Sequence, residues 1–315
     1  MSRTIRVAAA QYPVGTLATL AAYEAKISGW VADAVRKGAE VLVFPEYGSM
    51  ELASIAAPRG KLEAAIDAVT SLVPEIDRLH AGLAVKHSIT IVAGSFLQRT
   101  KAGVVNVAHI FGPTGVKGRY EKLMPTPWER DGAKVKGGHE LGVFDTGKAR
   151  IGLVICYDIE FPLIGRALAE AGAEVIVVPS NTETEWGYWR VRTGAMARAL
   201  ENQIYTVHCP TVGEAPGVVA CAVNIGAAGI FAPSDHGFPP GGVIALGEMN
   251  RPQWVYATLD LDLIATVRQS GGVQTYRHWT EQPGAGPLPQ ARLIDISGQH
   301  TMSPGASDAV AATPA

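Results

Sequence analysis

The sequence predicts an α/β fold, a four-layer αββα sandwich, and two observations carry the prediction. The order strand, helix, strand, helix and then several strands in succession occurs twice along the 315 residues. The two passes also share letters: Gly38-Ala-Glu-Val-Leu-Val-Phe-Pro-Glu46 and Gly172-Ala-Glu-Val-Ile-Val-Val-Pro-Ser180 are identical at six of nine positions. If each half supplies a sheet with helices on one face, the two bare faces bury themselves by packing together. One doubly wound parallel sheet is the alternative, and the hairpin-like strand pairs fit it less well.

Thr4 to Gln11 reads as a strand, and Leu17 to Lys37 spaces its apolar residues as a helix does before the stop signal Gly38. Val41 to Phe44 is a short apolar strand closed by Pro45 and Glu46. Leu62 to His87 is helical, with Pro74 as a kink or a break. Thr90 to Gln98, Val104 to Phe111 and Val116 to Lys122 read as strands, the first two joined by a turn over residues 100–103. In the second half, Ala149 to Cys156 is a strand, Phe161 to Ala171 a helix, Glu174 to Pro179 a strand and Tyr188 to Glu201 a helix. Ile204 to Cys209 opens a further strand series ending near Asp260. From about Gln282 the composition turns to proline, glycine, alanine and serine; only Ala291 to Ile296 there is suited to packing, and Ser303 to Ala315 reads as a mobile tail.

A hydrophobic fraction of 47% with 18% charged residues describes a globular chain, and a net charge of −2 implies no basic surface for nucleic acid or anionic lipid. No apolar run approaches a membrane span, and the N-terminal residues carry no basic segment followed by an apolar one, so a cytoplasmic location is expected. Three cysteines, Cys156, Cys209 and Cys221, without C-x-x-C spacing argue against a disulfide framework and a structural zinc site. The eight histidines show no metal-ligand spacing. There is no G-x-S-x-G elbow, Walker loop or H-E-x-x-H, and no cofactor is expected.

Three polar residues end strands that belong in the core: Glu46, Lys122 and Cys156. Each has an ordinary reading, as a solvated strand end, a surface lysine and a buried thiol. Strand ends that share one sheet edge nevertheless bring distant residues together, and Cys156 stands at a strand-to-helix corner where backbone N–H groups favour a thiolate or a developing oxyanion. Phe44-Pro-Glu46, Tyr120-Glu-Lys122 and Cys156-Tyr-Asp158 with Phe161-Pro162 resemble, in order, the three signature blocks of the nitrilase superfamily of carbon–nitrogen hydrolases. The resemblance continues through Pro179-Ser-Asn181 and Arg198-Ala-Leu-Glu-Asn-Gln203 and covers about residues 4–280.

That resemblance implies the αββα sandwich, a Glu46–Lys122–Cys156 triad, a hydrolase domain over 1–280, a C-terminal extension over 281–315, and a homodimer or higher homo-oligomer. It also implies a further glutamate, matched by Glu129, whose other reading is a loop carboxylate paired with Arg130. The chemistry implied is that of a small-molecule amidase. Glu46 takes the thiol proton as sulfur attacks the carbonyl carbon, Lys122 and the Tyr157 N–H stabilise the oxyanion, and a thioester is then hydrolysed with Glu46 or Glu129 activating water. An N-carbamoyl amine amidohydrolase is the runner-up and a nitrilase the third reading. A non-catalytic interaction module would be expected to have lost triad residues.

Two positions bear on substrate. Many relatives have arginine where Glu160 stands and glutamate where Leu163 stands. Glu160 would repel a substrate carboxylate, which points to a neutral or cationic substrate group, or it is only a helix-start carboxylate. Tyr47, Asn181 and Trp186 are pocket candidates, while Trp189 suits a dimer interface at least as well.

Overall fold

Both halves of the chain build the same series of strand pairings. The structure, a computed structural model, describes residues 2–285. Its elements run β1 (Thr4–Pro13), α1 (Leu20–Arg36), β2 (Val41–Val43), α2 (Ala53–Ala56), α3 (Leu62–Ser71), α4 (Val73–His87), β3 (Thr90–Thr100), β4 (Gly103–Phe111) and β5 (Lys117–Glu121). Then come α5 (Pro127–Asp131), β6 (Val143–Asp145), β7 (Arg150–Leu153), α6 (Pro162–Glu170), β8 (Val175–Ser180), α7 (Glu185–Asn202) and β9 (Tyr205–Glu214). β10 (Val223–Asn224), β11 (Gly229–Phe231), β12 (Val243–Leu246), β13 (Gln253–Asp260) and α8 (Leu261–Ser270) complete the order.

In the first half, β1–β2 and β2–β3 are parallel, whereas β3–β4 and β4–β5 are antiparallel. In the second, β7–β8 and β8–β9 are parallel, whereas β9–β11 and β11–β12 are antiparallel. A further strand flanks each series, β13 antiparallel to β1 and β6 antiparallel to β7. The lettered echo falls on the equivalent strands β2 and β8, so it marks a true structural repeat.

The two sheets touch where the end of β1 runs parallel to the end of β9, Tyr12 beside Thr211 and Pro13 beside Val212. The Cys209 thiol is buried at this junction, its sulfur 3.1 and 2.9 Å from the Ala10 and Val43 carbonyl oxygens that share its one proton. Every residue of β2 and of β8 is buried, as expected of strands covered on both faces. Helices form the outer layers. In α1 the inward stripe is Tyr23, Ile27, Val31 and Ala34, at helical spacing, and each large apolar side chain so buried contributes about 1.5–3 kcal/mol.

The helical stretch expected over Leu62 to His87 is two helices, with the break at Leu72, two residues before Pro74. Pro74 lies in the first turn of α4, where its missing N–H removes no bond. α7 starts at Glu185 rather than Tyr188 because the Thr184 hydroxyl caps it, accepting the Gly187 N–H at 3.1 Å. The described chain falls into one compact unit ending at Arg277 and another beginning at His278, of which residues 278–285 are described. The segment Ala291 to Ile296 and the tail from Ser303 lie outside the described residues.

One glycine fixes the approach of Glu46. β3 is irregular between Val92 and Ser95, Gly94 has φ +75°, and a Cβ there would stand 2.1 Å from the Pro45 carbonyl oxygen, which accepts the Ser95 N–H at 3.2 Å. Gly94→Ala is therefore expected to destabilise the protein by about 2–4 kcal/mol and to lower activity, since the displaced carbonyl precedes Glu46. Urea denaturation checks it; an unchanged midpoint refutes it.

Candidate active site

Four strand ends converge. The chain leaving β2 carries Glu46, the residue after β5 is Lys122, Cys156 follows β7 by three residues, and Asn181 follows β8. In open α/β sheets such carboxyl ends are where ligands bind. Glu46, Lys122 and Glu129 are each 1% exposed and Cys156 5%, so all four sit in a largely dry site.

Lys122 Nζ donates to Glu46 Oε1 at 2.8 Å and to Glu129 Oε2 at 2.7 Å. Glu129 thus pairs with Lys122 rather than Arg130, whose Nε donates to the Pro125 carbonyl. A capping box aims it. The Thr126 hydroxyl accepts the Glu129 N–H while Glu129 Oε2 accepts the Thr126 N–H at 2.7 Å, which folds the carboxylate back over the start of α5. Its other oxygen accepts from the Tyr47 hydroxyl at 2.5 Å and from Asn106 Nδ2 at 2.8 Å. Glu46 takes Asn106 Nδ2 on Oε1 and the Asn181 N–H on Oε2, both at 2.8 Å.

Cys156 has φ +48° and Tyr47 φ +60°, a left-handed backbone that is costly for side-chain-bearing residues and is characteristically kept at working sites. Cys156 opens a 3-10 turn, Cys156–Glu160. Its Sγ lies 3.6 Å from the Asn181 carbonyl, and Cys156 and Glu46 are close enough to shift each other's proton affinity. Asp158 braces this corner, accepting the Tyr120 hydroxyl at 2.8 Å, the Met124 N–H at 2.8 Å and the Ile155 N–H at 3.0 Å. Arg198 adds a bond to the Ile159 carbonyl at 3.1 Å.

The electrostatics separate the two carboxylates. Burial pushes Glu46 up, and Lys122 only partly reverses this while Glu129 adds to it, so Glu46 stays above the usual carboxylate range. Burial pushes Glu129 up as well, yet Lys122, Tyr47 and the Thr126 N–H outweigh it and hold Glu129 low. Burial opposes the Lys122 ammonium, but the two glutamates together keep its pKa well above normal. Burial, then Glu46, push the Cys156 thiol well up, so the resting sulfur is a neutral thiol beside a carboxylate of raised proton affinity.

The structure brings Tyr47 and Asn181 to this cluster, Tyr47 through its hydroxyl and Asn181 through its backbone. The Asn181 side chain instead binds Thr211 and Asn224, each at 2.6 Å. Tyr157 packs edge-on against Phe161, centroids 4.9 Å apart. Glu160 and Trp186, with Trp189 and Arg190, line a neighbouring surface cavity of about 660 Å³ that none of the four clustered residues lines, and Trp186 is 79% exposed. Glu160 pairs with Arg190 at 3.6 Å, so its charge does not stand alone. Sequence reading missed Asn106 and Asp158. A lone asparagine inside the apolar strand Val104 to Phe111 was the available signal for the first.

The family model for carbon–nitrogen hydrolases matches residues 6–269. The chain belongs to the carbon–nitrogen hydrolase family. A probable hydrolase, YhcX, of Bacillus subtilis is 33% identical over 86% of this chain, and the match spans 52% of that longer protein. Omega-amidase NIT2 of Bos taurus is 25% identical over 76% of this chain and 84% of its own length. Among solved structures, Saccharomyces cerevisiae Nit3, a member of branch 10 of the nitrilase superfamily, superposes with a TM-score of 0.66 at 21% identity, covering 85% of this chain and 94% of its own. The amidase from Nesterenkonia sp. AN1, as a double mutant with acrylamide, gives 0.63 at 22% identity over 88% of this chain and 97% of its own. As in those nitrilase-superfamily structures, the fold is the four-layer αββα sandwich that the sequence predicts. Among the described residues no helix is long and apolar enough to cross a membrane.

Proposed function

We propose that this carbon–nitrogen hydrolase cleaves a small carboxamide to a carboxylic acid and ammonia or an amine through a thioester on Cys156. One observation carries the reading: a neutral thiol beside a carboxylate of raised proton affinity, with a buried ammonium bound to that carboxylate. As sulfur attacks the carbonyl carbon, the thiol proton passes to Glu46. Negative charge on the substrate oxygen is met by Lys122 and by the Tyr157 N–H, which stands in the first turn of the 3-10 turn and so lacks an intrahelical acceptor. The C–N bond breaks as Glu46 returns its proton to the leaving nitrogen. Water then attacks the thioester with Glu46 again as the base, and the acid departs with the thiol restored.

Glu129 accepts four donors and is held ionised, which suits it to anchoring Lys122 rather than to taking up protons. In the same proposal Tyr47 orients Glu129, the Asn181 backbone orients Glu46, and Glu160 and Trp186 flank the approach for a neutral or cationic substrate group.

The test is intact mass after brief incubation with pooled amides, nitriles and carbamoyl compounds, quenched in acid. An acyl adduct is expected on the wild type and none on Cys156→Ala, with the mass identifying the acyl group; turnover by Cys156→Ala refutes the reading. A preference for carboxylate-bearing acyl groups refutes the role of Glu160. Native mass of the unquenched protein reads the expected homodimer, which a monomer would contradict.

A further inference from the structure

We propose that Asn106 is a positioning residue for hydrolysis: its two amide protons hold Glu46 and Glu129 as separate carboxylates on Lys122. This rests on the reading of Cys156 as nucleophile and Glu46 as its base. Asn106 is fully buried in β4 between Val105 and Val107, and its carbonyl accepts the Lys122 N–H at 2.9 Å, so one residue binds the lysine by its backbone and the lysine's partners by its side chain.

Both protons on Nδ2 are committed, one to Glu46 Oε1 and one to Glu129 Oε1, each at 2.8 Å. Oδ1 is buried with no hydrogen-bond partner. That sacrifice fixes the orientation, because a flipped amide would set Oδ1 against two carboxylate oxygens. With Lys122, the amide closes a ring: lysine to Glu46, Glu46 to Asn106, Asn106 to Glu129 and Glu129 back to lysine.

Two buried carboxylates beside one lysine carry a surplus negative charge, and the cheap relief is a proton taken up by one of them. A protonated Glu46 could not receive the thiol proton. Asn106 stands between the two oxygens as a donor without charge, which lowers the repulsion and leaves the base free. The other groups facing the pair are Tyr47 and the Thr126 N–H on Glu129, and Cys156 and the Asn181 N–H on Glu46, with the Asp158 and Cys221 side chains acting from farther away.

Asn106→Leu removes both donors at similar volume, and Asn106→Asp keeps the shape but replaces donors by acceptors. The measurement is the rate of Cys156 alkylation by iodoacetamide against pH, with the site confirmed by mass and thermal unfolding followed on the same samples. Alkylation needs no turnover, so its acid limb reads the titration of the Glu46–Cys156 pair, in which Glu46 must be free to accept the thiol proton. The limb is expected to move up by about one pH unit in either variant, a roughly ten-fold slower reaction on its acid side. In amide hydrolysis kcat should fall about 10–100-fold with KM within about two-fold, since Asn106 touches no reacting atom. If Asn106→Leu does not fold, the isosteric Asn106→Asp decides. A folded variant whose limb coincides with wild type overturns the proposal and leaves Asn106 a packing residue. Failure of wild-type Cys156 to alkylate would overturn the reading of the site itself, a separate outcome.

Discussion

Lys122→Met is expected to slow hydrolysis by about 10³-fold or more and to destabilise the fold by about 3–5 kcal/mol near pH 7. The side chain is buried between Glu46 and Glu129, and methionine fills its volume without its charge. Two buried carboxylates would then stand together with no cation, the costly arrangement for a broken buried pair. The pH dependence follows from the directions of the shifts. In the wild type, the raised Lys122 contributes stability fully present below the ordinary lysine pKa and lost as pH rises through its higher folded value. The lowered Glu129 contributes stability present above the ordinary carboxylate value and lost as pH falls through its folded one, whereas the raised Glu46 acts in the opposite sense. Without the lysine, both carboxylates rise, so the penalty is present above their new values and fades as pH falls through them. Urea denaturation of both proteins between about pH 8 and pH 5 checks this: the stability gap should narrow toward pH 5. A gap constant with pH would mean the loss is packing alone.

What the sequence made legible was position along strands. Glu46 and Cys156 were visible because each is a polar residue closing an apolar run, and Lys122 because it ends a strand within the block Tyr120-Glu-Lys122; period and punctuation survive in a one-dimensional string. The repeat was visible because β2 and β8 occupy equivalent places and reuse the same letters. Thr126-Pro-Trp-Glu129 held a legible capping box that went unread, and it is what turns Glu129 toward the lysine. Other features depend on how segments cross. The positive φ at Tyr47 that starts the turn over Gly48–Leu52 and the close pass of Gly94 beneath Pro45 occur where two distant segments meet, and no residue there signals either alone. Glu160 and Arg190 are thirty residues apart and meet only because α7 packs on the turn after Cys156. Burial decides the rest. Nothing local in Trp186 and Tyr47 separates an exposed aromatic from one enclosed beside two carboxylates.

Asp158→Ala is expected to cost about 3–5 kcal/mol and most of the activity, although this carboxylate is assigned no contact with the reacting atoms. It accepts three donors whose owners flank the site: Tyr120 and Met124 stand two residues on either side of Lys122, and Ile155 directly precedes Cys156. One side chain therefore ties the segment that carries the ammonium to the segment that carries the sulfur. Alanine would leave three buried donors without partners, each worth about 1–3 kcal/mol and not fully additive. Burial raises Asp158 to about 6, against three donors and Lys122 that favour its charge. A raised carboxylate works against folding above its folded value, and that cost disappears as pH falls toward the ordinary aspartate range. Near pH 5 the wild type should thus lose activity through the loosened brace while this group no longer opposes folding. Asp158→Asn separates the two effects. Its amide nitrogen would meet donors where Oδ2 accepts Tyr120 and Ile155, or its flipped form would meet Met124, so one contact is always donor against donor. We expect about a 10²-fold loss of kcat with less destabilisation than alanine, read by steady-state kinetics and urea denaturation together. Wild-type kcat in Asp158→Asn would mean that the Cys156–Lys122 spacing is held by the sheets alone, and that the three bonds are incidental to it.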